Sequence, residues 1–296
     1  MKRFRQDMLT GPLFPSIVSY TVPIILTGIL QLLFNAADLV VVGTKGEIYL
    51  SAVGATNAIT NFIVNLFIGL SVGGGVTMAH AMGSRDQEAI HRTVHTALPT
   101  ACIGGVVLTV AGIALSETLL RWMDTPASVL PYATLYMRIY FGGMVFNMVY
   151  NFGAALLRAA GDTRGPLLYL TIAGVANVGL NLIFVLVFGM TVDGVALATI
   201  SSQAISAFLV VRALMRRTDA ARLQLKKLRI YKFQILKIIC LGLPAGIQGS
   251  LFSISNVMIQ SSVNSFGEIF MAGNTAAGSI EGFVYVTMNA FHQTSI

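Results

Sequence analysis

Residues 17–43 read IVSYTVPIILTGILQLLFNAADLVVVG, from Ile17 to Gly43. The stretch is apolar and long enough to cross a bilayer as a helix, which takes about 20 residues. Four residues interrupt it: Pro23, Gly28, Asn35 and Asp38. A carboxylate inside a membrane helix costs roughly 2.5–3.5 kcal/mol even on the mildest scales, so it is expected to face an aqueous cavity or a partner. Asp38 is therefore the first candidate for an ion-responsive group. Pro23 has no backbone N–H to donate, which makes it the candidate for a bend in the same helix.

The rest of the chain has the same character. Of 296 residues, 55% are hydrophobic and 10% charged, with a mean hydropathy of +0.76. A soluble domain carries about 25% charged residues. The fold class expected is an all-α polytopic membrane protein. Apolar segments run from Phe14 to Gly43, Leu50 to Met82, Thr93 to Leu115, Pro131 to Leu157, Pro166 to Phe188, Val192 to Leu214 and Ile238 to Phe266, and an eighth begins near Phe270. The opening MKRFRQDM imitates the start of a signal peptide. The apolar run after it is too long for one and has no small-residue cleavage site, so it reads as the first span. Cys102 and Cys240 lie inside apolar runs without metal-ligand spacing and read as buried free thiols.

Charge is confined to the loops. Lys2, Arg3 and Arg5 precede the first segment, Arg85 and Arg92 follow the second, and Arg158 and Arg164 follow the fourth. After the sixth comes a basic stretch, Arg212 to Lys237. The alternate loops hold Lys45 with Glu47, then Glu117, Arg121 and Asp124, then Asp193, then Glu268. Lys and Arg thus gather at every second loop, and the positive-inside rule places the N-terminus in the cytoplasm. The net charge of +7 reflects this topology, not a nucleic-acid partner. The partner expected is the lipid bilayer, with the basic stretch a cytoplasmic linker that fixes topology and touches anionic lipid. Arg138, within the fourth segment, could pair with an acid or snorkel to the outer surface, and the second is the expectation.

The chain also repeats itself at an offset of 221 residues without gaps. Pro23 aligns with Pro244, Gly28 with Gly249, Asn35 with Asn256 and Gly46-Glu47-Ile48 with Gly267-Glu268-Ile269. Six segments separate the copies, and an even number returns the chain to the same side, so the two copies insert in parallel. Only the first two segments of the second copy are present. Asp38 aligns with Ile259, and Glu281 with Thr60. Two acidic groups that break the repeat, one per copy, suit an asymmetric pump; alternatively each is a locally satisfied carboxylate.

Three stretches carry a resemblance to a known family: LTGPLFPSIVSYTVPIILTGILQLLFNAADLVVVG followed by LSAVGATNAI, LLRAAGDTRGPLLY, and NVGLNLIFVLVFGMTVDGVALATISS. Together they resemble the multidrug and toxic compound extrusion (MATE) transporters, along essentially the whole chain. The resemblance implies a two-lobe helical bundle. Residues 1–215 would form an N-terminal lobe of six helices, 216–237 a basic cytoplasmic linker, and 238–296 the first two helices of an incomplete C-terminal lobe. It implies a plasma-membrane antiporter, a monomer when full length. Such an antiporter exports organic cations or amphipathic compounds in exchange for H⁺ or Na⁺ by alternating access. It further implies a polar cluster of Asp38, Asn177, Asn181 and Thr199 in the first lobe, with bends at Pro23 and Pro244. Position 181 is an aspartate in some members and asparagine here, and Glu281 could stand in for a seventh-helix glutamate that this chain lacks.

The residues themselves fit such a cluster. Asn35 and Asp38 are three apart, and Asn177 and Asn181 four apart, so each pair shares a helix face. Desolvation would disfavour the charged form of Asp38, and hydrogen bonds from amides and the Thr199 hydroxyl would favour it. The same oxygens could hold Na⁺. No further cofactor is expected. Other readings remain: a flippase for a lipid-linked precursor, expected to need cations in its cavity where this chain offers almost none but Arg138; a membrane-embedded enzyme, for which His80, His91, His95 and His292 are too dispersed; and a non-transporting fragment. Gly73-Gly74-Gly75 reads as close helix packing, since a phosphate loop would need a following Lys. Met144, Phe146, Met148, Tyr150, Met258 and Met288 read mostly as core or lipid-facing, although soft Met and aromatic walls also suit a promiscuous cavity.

Overall fold

A computed structural model describes residues 13–123, 125–264, 281–282 and 284–294, without the side chains of residues 13, 58 and 256–264. Among the described residues the regular structure is all helical, with no strand. The helices are α1 (Leu13–Gly43), α2 (Glu47–Gly83), α3 (Gln87–Trp122), α4 (Leu130–Gly142), α5 (Met144–Ala159), α6 (Arg164–Asn181), α7 (Val192–Met215) and α8 (Lys232–Asn264). A π-helical turn, Leu182–Val187, extends α6, and a 3-10 turn, Leu225–Lys227, lies in the linker. Residues 284–294 are helical as well. Among the described residues, six helices are long and apolar enough to span a membrane. The pair α4–α5 is a seventh if counted as one span.

That pair corrects the fourth segment, which the sequence presents as continuous. It breaks at Gly143 with a bend of 48°. Adjacent glycines, Gly142 and Gly143, weaken the helix there, and a Cβ on Gly143 would sit 2.9 Å from Ile200 Cγ2 on α7. Thr109 Oγ1 on α3 donates to the Phe141 carbonyl at 2.8 Å, beside the break. A second difference lies at α8, which starts at Lys232, six residues before the apolar run expected from Ile238, so the linker is shorter than 216–237.

The core is built from Met78, Phe141, Phe152, Leu156 and Leu214, all fully buried where α2, α4, α5 and α7 meet. Met144 and Met148 join them, whereas Phe146 and Met288 are exposed; the Met258 side chain lies outside the described residues. Val40, Val110, Val175 and Phe188 remain exposed on the periphery, as a lipid-facing surface requires. Cys102 and Cys240 lie on that periphery too. They are free thiols but exposed, not buried as expected, because each falls on the outward face of its helix.

The tightest helix pair is α2 with α8. A Cβ on Gly73 would lie 2.7 Å from the Gly242 nitrogen, and one on Gly242 would lie 2.6 Å from Leu70 Cα. Gly69, Gly73, Gly242 and Gly246 thus let two backbones touch, the arrangement small residues at four-residue spacing permit in membranes. Gly74 and Gly75 pack on Phe152 and Ala155 of α5, so the glycine run serves helix packing on two sides.

At the end that carries Arg85, Arg158 and the linker, Asp86 caps α3, accepting from the Glu88 and Ala89 amides at 3.0 Å each. The linker folds back onto α3. Fully buried His95 accepts the Gln224 N–H at 3.1 Å through Nε2, and its Nδ1 lies 2.8 Å from the His91 carbonyl. Tyr231 N donates to Thr96 Oγ1 at 3.2 Å. In the loop before α6, Asp162 Oδ1 accepts the Gly165 N–H at 2.7 Å. Burial pushes the Asp162 carboxyl above its usual range, while the Gly165 N–H and the Arg217 charge oppose this. Arg138 does not snorkel alone: its Nη2 lies 3.5 Å from Glu117, which also binds Arg121 at 2.8 Å. The acid at the end of α3 is within reach because α4 packs alongside it.

Candidate functional site

Asp38 sits on the last turns of α1, buried against α6 and α7. The approach of α1 to α6 is close because Gly174 lies against the Phe34 ring. Two turns further along α6, Asn181 is its final residue, after which the backbone widens into the π-helical turn. There the Phe188 N–H reaches the Ile183 carbonyl at 3.0 Å. Such turns recur at functional sites because they re-aim side chains that a regular helix would carry past.

Asn181 Nδ2 donates to Asp38 Oδ1 at 2.5 Å and to Asn177 Oδ1 at 3.2 Å. Thr199 Oγ1 lies 3.2 Å from Asp38 Oδ2 and 2.9 Å from its own helix carbonyl at Val195. One hydroxyl proton serves either acceptor. Asn181 Oδ1 is buried without a hydrogen-bond partner among the described residues. The cluster therefore joins a carboxylate, two amide oxygens and a hydroxyl, drawn from three helices. It can hold a proton on Asp38, or offer oxygen ligands to a hard monovalent cation.

Asn35 shares the α1 face with Asp38 but makes none of these bonds. It borders two cavities. One, of about 190 Å³, is lined by Asp38, Thr60, Tyr136, Tyr140, Thr199 and Gln203 among others. The second, of about 1280 Å³, runs along α1, α2 and α5 to the helical residues 284–294. Asn35 and Asn61 line both, so they form the wall between the acid chamber and the large cavity. Asn57, Asn61 and Asn65 are not singled out from the sequence, and Thr60 enters there only as the repeat partner of Glu281, although polar residues recurring on one face of the apolar α2 carry the same signal as Asn35.

The other expected residues fall elsewhere. Pro23 and Pro244 lie inside α1 and α8, each of which continues through its proline as one helix. Thr27 Oγ1 donates to the Pro23 carbonyl at 2.7 Å. Glu281 is exposed and lines neither cavity, so the structure does not bring it to Asp38. Asn256 aligns with Asn35 in the repeat, but its side chain lies outside the described residues, as do Asp124, Glu268 and the residues before Leu13. Arg138 lies at the periphery beside Glu117, and the cavity instead receives Arg158 from the end of α5.

A family model described as MatE matches residues 23–183, more than half of the chain. The chain belongs to the MatE family. Asp38, Asn177 and Asn181 lie inside the matched region and Thr199 beyond it. This MatE protein is similar to "Probable multidrug resistance protein YpnP" of Bacillus subtilis, 29% identical over 279 residues, 94% of this chain and 62% of that one. It is also similar to "Probable multidrug resistance protein NorM" of Thermotoga maritima, 26% identical, covering 91% of this chain and 59% of the relative. The chain thus spans about three fifths of the length of these relatives. Among solved structures, a MATE in the bent conformation aligns with a TM-score of 0.87 at 26% identity, over 94% of this chain and 63% of that one. A MOP superfamily transporter from Pyrococcus furiosus, described by the reverse polarity of its binding pocket, aligns with a TM-score of 0.86 at 26% identity, over 94% and 62%. The all-α, multi-pass membrane fold expected from the sequence is that of this family.

Proposed function

We propose that this MatE protein is a secondary antiporter of the plasma membrane that exports amphipathic small molecules in exchange for H⁺ or Na⁺, with its N-terminus in the cytoplasm. Residues 1–215 act as a first lobe, and α8 opens a second. The observation that carries the reading is the position of Asp38: a buried carboxylate held by Asn181 and Thr199, in a chamber that shares the Asn35–Asn61 wall with a cavity large enough for a drug-sized molecule.

Loading Asp38 with a proton or Na⁺ neutralises it and changes what Asn181 and Thr199 bond to. The packing of α1 on α6 and α7 then shifts, aided by Pro23, where the helix lacks a backbone hydrogen bond. An ion biases such an equilibrium only through different affinity for the two states, and a buried carboxylate that changes its partners provides that difference. The multidrug names of the relatives support export, and the three-helix cluster supports coupling to a small cation.

The test is efflux of a fluorescent amphiphile from proteoliposomes containing the purified protein, driven by an imposed pH gradient or an imposed Na⁺ gradient. Asp38→Asn should abolish gradient-driven efflux while the protein still inserts and stays folded. Efflux undiminished in that variant removes Asp38 from the mechanism. Which gradient drives the wild type identifies the ion.

A further inference from the structure

At the arginine-bearing end of the large cavity, α5 contributes Tyr150, Asn151 and Arg158, and the helical residues 284–294 contribute Asn289 and Gln293. Arg158 Nη1 donates to Gln293 Oε1 at 2.6 Å, and Nε to the Ala154 carbonyl at 3.3 Å. The Tyr20 hydroxyl on α1 donates to the Arg158 carbonyl at 2.6 Å and fixes the backbone beneath it. No carboxylate pairs with this guanidinium among the described residues, and its Nη2 group has no acceptor there. Tyr150, two helical turns earlier, is 6% exposed, and its hydroxyl is buried with no hydrogen-bond partner among the described residues.

A half-buried cation without a counter-ion and a buried phenol without a partner are both unfavourable, and an anion placed between them would relieve both. A guanidinium is also the side chain best shaped to grip a carboxylate, sulfonate or phosphate. The surrounding wall supplies an apolar body site in Ile24, Leu32, Val72 and Val76. The described lining includes a second arginine, Arg85, at the exposed rim, and no Asp or Glu. The walls therefore focus a positive potential into the cavity.

We propose that Arg158 and Tyr150 form an anion subsite in the large cavity, which binds the acidic group of amphipathic compounds and makes them, not organic cations, the preferred ligands. The inference rests on the transport function proposed above and gives the charge class of its substrate. Gln293 holds one arm of the guanidinium, Nη2 and the Tyr150 hydroxyl take the anion, and the apolar body lies along α1 and α2. Organic cations, the expectation drawn from the family resemblance, would meet no carboxylate in the described lining.

The test is equilibrium binding to the 296-residue protein in nanodiscs of zwitterionic lipid, without any ion gradient. The probes are dansylglycine and dansylglycinamide, which share a fluorophore and differ by carboxylate against carboxamide. The carboxylate should bind about tenfold more tightly, the usual size of a charge-assisted hydrogen bond. Arg158→Gln should erase the preference and leave the amide's affinity unchanged. Tyr150→Phe, which keeps the buried ring, should weaken the carboxylate alone, and it carries the test if Arg158→Gln does not fold. Equal affinity for the two probes, no saturable binding of the carboxylate, or a preference that survives both substitutions overturns the subsite. Asp38→Asn should keep the preference intact, so loss of ion coupling and loss of anion recognition are read separately.

Discussion

Asn181 at the end of α6 donates to Asp38 on α1 at 2.5 Å, a bond that joins residues 143 apart in the chain. Both side chains are buried, and Asn181 fully so. Asn181→Leu keeps the volume and removes the donor. It should destabilise the protein by about 1–3 kcal/mol, the cost of leaving a buried polar group unsatisfied. Denaturant unfolding in micelles measures it, and a stability equal to wild type would show that Asp38 finds another donor.

Asn181→Asp reverses the sense of the same contact. Two carboxylates at hydrogen-bond distance cannot both ionise readily, so they hold one proton between them. The infrared spectrum of the variant at neutral pH should gain a protonated carboxyl band that Asn181→Asp with Asp38→Asn lacks. Identical spectra for the two would mean that the side chains move apart.

The glycine seam between α2 and α8 makes a mechanical prediction. With Cys102 and Cys240 replaced by alanine, cysteines placed at Asn65 and Ser253, whose side chains lie 3.3 Å apart, should cross-link readily. Gly73→Leu cannot fit against the Ile238–Gly242 backbone, so it should suppress that cross-link. Cross-linking at the original rate would mean that α8 tolerates the larger residue by sliding.

His95 anchors the linker. Its Nε2 is the acceptor for the Gln224 N–H, while Leu223 and Ala221 are buried beneath. His95→Leu should release residues 221–231 at a cost of about 1–3 kcal/mol. Faster amide exchange there and new tryptic cuts after Arg222, Lys226 and Lys227 would report it. Wild-type protection in the variant would place the anchor at Thr96 and Tyr231 instead.

Gly143 links the broken span to the Asp38 cluster through Ile200, the neighbour of Thr199. Gly143→Val should push α7 outward and destabilise the protein by about 1–3 kcal/mol, typical of overpacking. Adding Ile200→Ala should recover part of the loss, because residues in contact do not behave additively. Unfolding curves of the two single variants and the double variant decide it.

The apolar segments were legible in the chain because membrane insertion is close to a sum over neighbouring residues, which a local reading can make. The same logic marked Asp38, whose burial costs too much to be incidental, and placed Asn177 and Asn181 on one face by spacing alone. The resemblance to the family supplied Asn177, Asn181 and Thr199 as members of the cluster, and no local signal singles out Thr199.

Only the tertiary structure decided which faces meet. It left Asn35 out of the bonds around Asp38 and made it a wall with Asn61. It broke the fourth segment at Gly143, turned Cys102 and Cys240 outward, paired Arg138 with Glu117, and set Glu281 apart from the cluster. It also delivered Arg158, which reads as a loop residue, to the floor of a cavity beside Tyr150. The physical reason is common to all of these. Hydropathy fixes whether a residue lies in a helix that crosses the membrane, but the direction in which that residue points depends on close packing against helices far away in sequence, at glycines such as Gly73, Gly143 and Gly174 whose neighbours the chain does not name.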